Sequence, residues 1–461
     1  MAFADTIAAV ATPPGTGGIG IIRVSGGKSE DIAALLFKSS RPGFALKSHR
    51  LHHGQIVSAR SGKVLDEVLV TLMKKPQSYT GEDVLEIHCH GNPLILQAVL
   101  AEAVHAGARL AEPGEFTKRA FLNGRIDLCR AEAVADIVGA RTGRGLEIAR
   151  AQNRGELSGK IEGFRQSLIG ILAELETAID FTEEEVSGGA PVDARSRIDA
   201  ILQDLDGLSS TYDRGKLVRK GVSAVITGKP NAGKSSLLNR LLGENRAIVT
   251  HIPGTTRDFI EEVIGIRGVP VRLTDTAGIR DPANIIEREG IDRVWERLSS
   301  ADAVIMVFDG SAPLTAEDEA VIEKNRGRAA VPVINKSDLE QVIDAERLRS
   351  RLAGAKPLRI SAKTGDGIPA LLDAVYDLVT GQPRETDLDT DLIITRVRHK
   401  TALEKTAAHL LQARESLAGG LSAEFVAFDI REALDSLGEI TGMTSREDIL
   451  DRIFSTFCVG K

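Results

Sequence analysis

A chain of 461 residues is too long for one hydrophobic core, so two or three domains are expected. Hydrophobic residues make up 42% and charged residues 27%, ordinary values for a globular protein, and the net charge of −7 argues against a dedicated nucleic-acid clamp, whose surface is usually basic. The three cysteines, Cys89, Cys129 and Cys458, lie far apart, form no CxxC pair for zinc and suit a reducing compartment.

The opening MAFADTIAAVATPPG lacks the basic, apolar layout of a secretion signal, and no apolar run approaches the ~20 residues of a membrane span. A cytoplasmic protein with no membrane partner is expected. Residues 1–118 read as strand-rich through GIGIIRVSG, HHGQIVSA, DEVLVTLMKK and EDVLEIHCHG, with helical stretches at KSEDIAALLF and PLILQAVLAEAVHAG. That is an α+β pattern. In EDVLEIHCHG, alternation sets Val84, Glu86 and His88 on one face and Leu85, Ile87 and Cys89 on the other. Cys89 is therefore expected to be a buried, inert thiol, and the Glu86 carboxylate among β-branched neighbours needs a partner. His88 and His90 lack further ligand-spaced partners and read as structural histidines.

Residues 119–215 change to amphipathic helices; in IDAILQDLDGL the apolar Ile198, Ile201, Leu202, Leu205 and Leu208 recur at helical spacing. Residues 216–379 alternate apolar strands (VSAVITG, VPVRLTD, AVIMVFDG, VPVINKS) with helices, the mark of a parallel sheet with crossovers. Residues 380–461 return to helices, and Thr444 and Glu447 in TSREDILDRIFSTF stand at capping-box spacing. The simplest arrangement is an α/β domain inserted into a helical domain whose two halves pack together.

GKPNAGKS, from Gly228 to Ser235, fits G-x-x-x-x-G-K-[ST] between a strand and a helix, the context of a phosphate-binding loop. Asn231, Ala232, Gly233, Lys234, Ser235 and Ser236 are expected around the phosphates, with Lys234 bridging the β- and γ-phosphates and the Ser235 hydroxyl on Mg²⁺. In THIPGTTRD, Thr250, His251, Ile252, Pro253, Gly254, Thr255 and Thr256 form a second candidate loop, Thr256 being a second Mg²⁺ ligand. Asp275, Thr276, Ala277 and Gly278 (DTAG) end the strand VPVRLT, with Asp275 reaching the magnesium shell and the Gly278 amide the γ-phosphate. Where Ras-type GTPases carry a water-orienting glutamine, the next residue is Ile279. Asn335, Lys336, Ser337 and Asp338 (NKSD) and Ser361, Ala362 and Lys363 (SAK) follow further strands. Asp338 is the base selector: its carboxylate accepts from guanine N1–H and the 2-amino group, whereas adenine would leave it unpaired. Asn335 and Lys336 would frame the ring, and the Ala362 N–H would meet its oxygen. The reading is a GTP site.

With these motifs, ATPPGTGGIGIIRVSG, YTGEDVLEIHCHG, EPGEFTKRAFLNGRIDL and the terminal FCVGK, the chain resembles the tRNA-modification GTPase family called MnmE or TrmE over its whole length. The resemblance implies an α+β tetrahydrofolate-binding N-terminal domain, an all-α helical domain and an inserted Ras-like P-loop GTPase domain, a multidomain α/β architecture. It implies a K⁺ ion in place of an arginine finger, held by Asn231 and by Thr250, Ile252 and Thr255, with Glu287 of NIIERE positioning the water. Residues matching the family's folate contacts (5-formyl or 5,10-methylene tetrahydrofolate) are Arg23, Glu86, Arg125, where some members have lysine, and Lys461. Cys458 belongs to a motif near that chemistry. The implied assembly is a homodimer that forms a heterotetramer with an FAD-dependent subunit and acts on C5 of the wobble uridine of tRNA. Two rivals are a ribosome-assembly GTPase switch, which would carry a basic RNA-binding module, and a free-standing folate-dependent methyltransferase with a regulatory G domain.

Overall fold

The computed structural model describes residues 4–39, 45–180, 193–245, 262–275, 301–381, 392–444 and 447–461. Two compact units emerge: residues 1–135, 152–202 and 402–461 in one, and 136–151 and 203–401 in the other.

The first unit opens with strands β1 (Ile7–Val10), β2 (Gly17–Ser25), β3 (Phe37–Ser39), β4 (His52–Val57), β5 (Val64–Met73), β6 (Val84–Gly91) and β7 (Arg109–Leu110). They form one sheet in the order β3-β4-β5-β6-β2-β1-β7, antiparallel except for the β1–β7 pair. Helices α1 (Ser29–Leu36) and α2 (Pro93–His105) cover one face. There Ile22, Val24, Val70, Leu72, Leu85, Ile87 and Cys89 pack with Ile32, Leu36, Leu96 and Val99. α2 starts where Asn92 accepts the Leu94 N–H at 2.8 Å and Pro93 takes the first helical position, where no N–H is needed. The opposite face carries a smaller cluster of Ile7, Ala9 and Phe116, the last on α3 (Glu115–Leu122).

Helices α4 (Leu128–Gly139), α5 (Gly143–Arg154), α6 (Glu156–Asp180), α7 (Ala194–Ser210) and α8 (Tyr212–Lys220) follow. On α7, Ile198, Ile201, Leu205 and Leu208 are buried, as their spacing predicts. α8 runs past residue 215 to Lys220 and leads directly into the second sheet.

That sheet consists of β8 (Val222–Thr227), β9 (Glu262–Ile266), β10 (Val269–Asp275), β11 (Ala303–Asp309), β12 (Ala330–Asn335) and β13 (Leu358–Arg359), in the order β13-β12-β11-β8-β10-β9. It is parallel except for β9, which pairs antiparallel with β10. Helices α9 (Lys234–Asn245), α10 (Ala316–Lys324), α11 (Ala345–Arg351) and α12 (Ile368–Thr380) accompany it. Its core joins Ala224, Ile226, Leu273, Ile305, Val307 and Val333 to Leu237, Leu241, Leu371 and Val375.

The C-terminal helices are α13 (Val397–Ala418), α14 (Ala423–Thr441) and α15 (Glu447–Phe454). Within the first unit α14 packs on α6, with Arg431 paired to Glu176 at 2.7 Å and the Cys129 thiol donating to the Ile440 carbonyl at 3.2 Å. Within the second, the Ile394 N–H donates to Thr211 Oγ1 at 3.1 Å. The two helical halves, separated by the inserted sheet, are thus paired in both units. The Thr444 hydroxyl donates to the Asp435 carbonyl at 2.9 Å, so its observed bond is back to α14. Among the described residues no helix is long and apolar enough to cross a membrane.

Candidate functional site

β8 is the switch point of the second sheet: β11 lies on one side of it and β10 on the other, and ligands of open parallel sheets bind at the carboxyl ends of such strands. The chain leaves β8 at Thr227, turns through Gly228–Gly233 and enters α9 at Lys234, so that first-turn N–H groups face outward with the positive end of the helix dipole behind them. Two glycines are required by sterics. A Cβ on Gly228 would collide with the Val307 carbonyl oxygen, and one on Gly233, at φ 96°, with Asn335 Nδ2. Asn231, exposed at the apex, sits at φ 60°, a left-handed conformation that asparagine tolerates better than most residues. Lys234 Nζ donates to the Lys229 carbonyl at 2.8 Å, while Ser235 and Ser236 are exposed in the first turn.

Asn335, the last residue of β12, ties three sequence-distant segments together. Its Nδ2 donates to the Ala232 carbonyl of the loop at 2.9 Å, and its Oδ1 accepts the Ala362 N–H at 2.9 Å. The N–H expected to meet a guanine oxygen is thus engaged by Asn335, and a base would have to share it. Lys336, at φ 64°, extends its ammonium to Asp309 Oδ2 at 2.6 Å. Burial pushes the Asp309 carboxyl up, but Lys336 and the Ser311 hydroxyl and N–H outweigh it and hold the group below its usual range. Ser337 donates its N–H to the Ile360 carbonyl at 3.0 Å. Asp338 is exposed; the Ser361 hydroxyl donates to its Oδ1 at 2.6 Å and holds the carboxyl below its usual range, leaving an ionised acceptor for two donors. Lys363 is exposed beside them.

Gly233→Ala follows as a strong variant. The added carbon must displace the Asn335 amide and hold a left-handed φ, losing a buried hydrogen bond (about 1–3 kcal/mol) and adding strain of about 1–2 kcal/mol. Guanine-nucleotide affinity is expected to fall ~30–5000-fold, read by displacement of a fluorescent GDP.

Asp275 ends β10, its backbone in register with Ile226 of β8, one strand from the loop. Thr250, His251, Ile252, Pro253, Gly254, Thr255, Thr256, Thr276, Ala277, Gly278 and Glu287 lie outside the described residues.

The first unit carries a second polar centre. Arg23 on β2 meets Glu86 on β6 through Nε at 2.9 Å and Nη2 at 2.8 Å, donates from Nη1 to the Gly460 carbonyl at 3.0 Å, and lies 5.8 Å from the centre of the Phe116 ring. The partner that the Glu86 carboxylate needs is therefore Arg23, with His88 Nε2 at 3.4 Å from the other oxygen. The chain's last residues dock here: a Cβ on Gly460 would meet the Val10 carbonyl oxygen at 2.5 Å. Lys461 follows that contact directly. Arg125 is exposed, its side chain against Gly81. Cys89 is buried and its thiol is pushed up to about 12, mainly by burial and further by Asp66, while Cys458 is exposed. His90 Nδ1 pairs with Asp66 Oδ1 at 2.7 Å.

Family models match most of the chain. The model of the MnmE helical domain matches residues 128–458, and the model described as the GTP-binding protein TrmE N-terminus matches residues 6–125. The chain belongs to the MnmE (TrmE) family. It is 54% identical over 457 residues to the tRNA modification GTPase MnmE of Syntrophus aciditrophicus, covering 99% of each chain. It is 45% identical over 461 residues to that of Geotalea uraniireducens, covering 100% of each, and 44% identical over 458 residues to that of Natranaerobius thermophilus, covering 99% of each.

Several polar residues around the MnmE-type nucleotide site escape the motif reading. Asp309 and Lys229 sit at or beside strand ends, but each finds its partner far away in sequence, at Lys336 and Asp318. Arg240 on α9 donates from Nε to the Ala362 carbonyl at 3.2 Å and from Nη2 to that of Lys363, fixing the SAK turn to the helix that begins at Lys234. The one sequence signal for Asp309 is an acid ending a fully apolar parallel strand, where a ligand edge is expected.

Proposed function

We propose that this GTP hydrolase takes part in tRNA modification, stimulated by potassium, and works with an FAD-dependent partner. Together they would form (carboxymethyl)aminomethyl groups at C5 of the tRNA wobble uridine from a folate one-carbon unit. The observation that carries the nucleotide reading is Asn335, which hydrogen-bonds the phosphate loop and the SAK turn at once and so sets the base-selecting Asp338 at a fixed place relative to Lys234. The donor set suits hard cations: the Ser235 hydroxyl and the Asn231 amide, both exposed, offer oxygen donors. Ser235 and Thr256 would hold Mg²⁺; Asn231, Thr250, Ile252 and Thr255 would hold K⁺. Bound there, the cations supply neutralisation of charge gathering between the β- and γ-phosphates. Lys234 would orient the same oxygens, Asp275 would serve the metal shell, and Glu287 would align the water that Ile279 cannot. Arg23, Glu86, Arg125 and Lys461 would hold the folate, the Glu86 carboxylate facing the guanine-like edge of the pterin. The protein would act in the cytoplasm as a homodimer that joins its partner in a heterotetramer.

Steady-state GTP hydrolysis in KCl against NaCl at equal ionic strength tests the reading. The rate is expected to rise at least ~10-fold in K⁺, part of the ~10³–10⁵ an arginine finger supplies. The rise should vanish in Glu287→Ala and in Asn231→Gly, which keeps the backbone conformation that alanine would strain. Equal rates in the two salts would remove potassium from the mechanism. For the second centre, Glu86→Gln is expected to weaken binding of 5-formyltetrahydrofolate by ~10-fold or more in calorimetry, since it loses charge-assisted bonds, and to leave GDP affinity unchanged.

A further inference from the structure

We infer that Asp318 is a positioning residue of the phosphate loop, acting through Lys229; the inference rests on the reading of that loop as the GTP phosphate site. Asp318 is 1% exposed in the first turn of α10, and its Oδ2 takes three donors: the Thr315 N–H at 2.9 Å, the Thr315 hydroxyl at 2.9 Å and Lys229 Nζ at 2.7 Å. The first two belong to the helix cap. Lys229 adds nothing that α10 needs to start, so its pairing with a buried carboxylate serves the loop in which Lys229 stands.

Lys229 occupies the position after Gly228, and its side chain is only 10% exposed. Its backbone carbonyl accepts Lys234 Nζ at 2.8 Å and the Ala232 N–H at 3.4 Å. A chain of contacts therefore runs from the first turn of α10, through the Lys229 side chain and carbonyl, to the ammonium that meets the phosphates. Water and salt screen such a buried pair weakly, and removing one partner leaves an uncompensated charge in the protein. The loop can relieve that charge by moving Lys229 or by admitting water, and either shift disperses the converging N–H groups that preorganise the phosphate site. Asp318 touches no phosphate; it fixes the residue on which the loop closes.

The test compares the full-length protein with Lys229→Met, Lys229→Arg and Asp318→Asn, reading the Kd for fluorescent GDP, KM and kcat for GTP, and the melting temperature. Lys229→Met is expected to weaken GDP binding ~10-fold or more, with the loss larger on KM than on kcat. Lys229→Arg should return affinity to within ~3-fold, because a guanidinium reaches the same oxygen. Asp318→Asn keeps an acceptor for Thr315 and should shift affinity in the same direction as the methionine variant, which guards against a misfolded Lys229→Met. A lowered melting temperature with unchanged nucleotide affinity in Lys229→Met and Asp318→Asn would overturn the inference and leave a stabilising pair only. No GDP binding by the unmodified protein would overturn the phosphate-site reading itself.

Discussion

Asp338→Asn is expected to weaken GTP binding ~10²–10⁴-fold and to create measurable affinity for xanthosine triphosphate. The carboxylate would offer two acceptors to guanine N1–H and the 2-amino group, and the loss of charge-assisted hydrogen bonds to both sets that range. An asparagine turns one acceptor into a donor, which faces the guanine amino group unfavourably but suits the carbonyl that xanthine carries at the same carbon. Specificity should therefore exchange rather than disappear. The surroundings favour a fixed carboxylate: Ser361 donates to one oxygen at 2.6 Å, and Asn335 and Arg240 hold the backbone of the neighbouring SAK turn. Because the Asp338 carboxyl lies below its usual range, it is ionised above that range and loses its charge only as the pH falls through the depressed value. GTP affinity should accordingly be flat from pH 8 down to about 5 as far as this group is concerned. Competition of GTP and of xanthosine triphosphate against fluorescent GDP measures both arms. A loss of GTP binding without any gain for the xanthine nucleotide would mean that Asp338 braces Ser361 and does not read the base.

The parts of this site that a reader of the sequence can find are those set by strand ends. Apolar runs identify β8, β10, β11 and β12, and the described motifs that follow β8 and β12 fall at one edge of the sheet because parallel strands share a direction. β9 was hidden. Its hairpin to β10 turns through Arg267 and Gly268, both at positive φ (47° and 84°), the geometry of a type I′ turn, but with arginine where Asn or Asp would have signalled it. β1 and β7 are only four and two residues long and give no periodicity to read. In the first unit, the alternation of β6 correctly separates Leu85, Ile87 and Cys89 from Glu86 and His88, yet nothing local says that Glu86 meets Arg23 or that Arg23 also holds Gly460, 437 positions away. Long-range polar pairs are written in the topology and not in any window of the sequence. The family resemblance names Arg23, Glu86, Arg125 and Lys461 together, and the fold brings Arg23, Glu86 and the end of the chain to one place by closing the C-terminal tail onto β1.

The largest effect on stability is expected from Arg119→Met, which should lower the stability of the first unit by about 3–5 kcal/mol. Arg119 is fully buried on α3. It donates from Nη2 to Asp5 at 2.8 Å and to Glu115 at 3.0 Å, and from Nη1 to both oxygens of Glu82 at 3.2 Å and to the Asp5 carbonyl at 3.0 Å. One guanidinium thus fastens the segment before β1, the loop before β6 and the first turn of α3. Methionine fills most of the volume but leaves Glu82 and Glu115, 13% and 7% exposed, without that cation; of the three carboxylates Arg109 pairs with Glu115 and Asp5. For a unit of this size the melting temperature should fall by roughly 6–20 °C. The pH dependence carries the sign of the mechanism. Burial pushes the Asp5 and Glu115 carboxyls up, but their arginine partners outweigh it and hold both below the usual carboxylate range. Their stabilisation is therefore complete above that range and is lost as the pH falls through the depressed values. The gap between the unmodified protein and Arg119→Met should be widest near pH 7 and should narrow as the pH approaches about 3. Thermal melts across that interval decide the matter: a gap that stays constant with pH would assign the loss to packing rather than to the Asp5 and Glu115 carboxylates. Because the same segment carries β1 and its Val10 carbonyl, against which Gly460 docks, the variant should also loosen the C-terminal tail and weaken the Arg23 centre together with the fold.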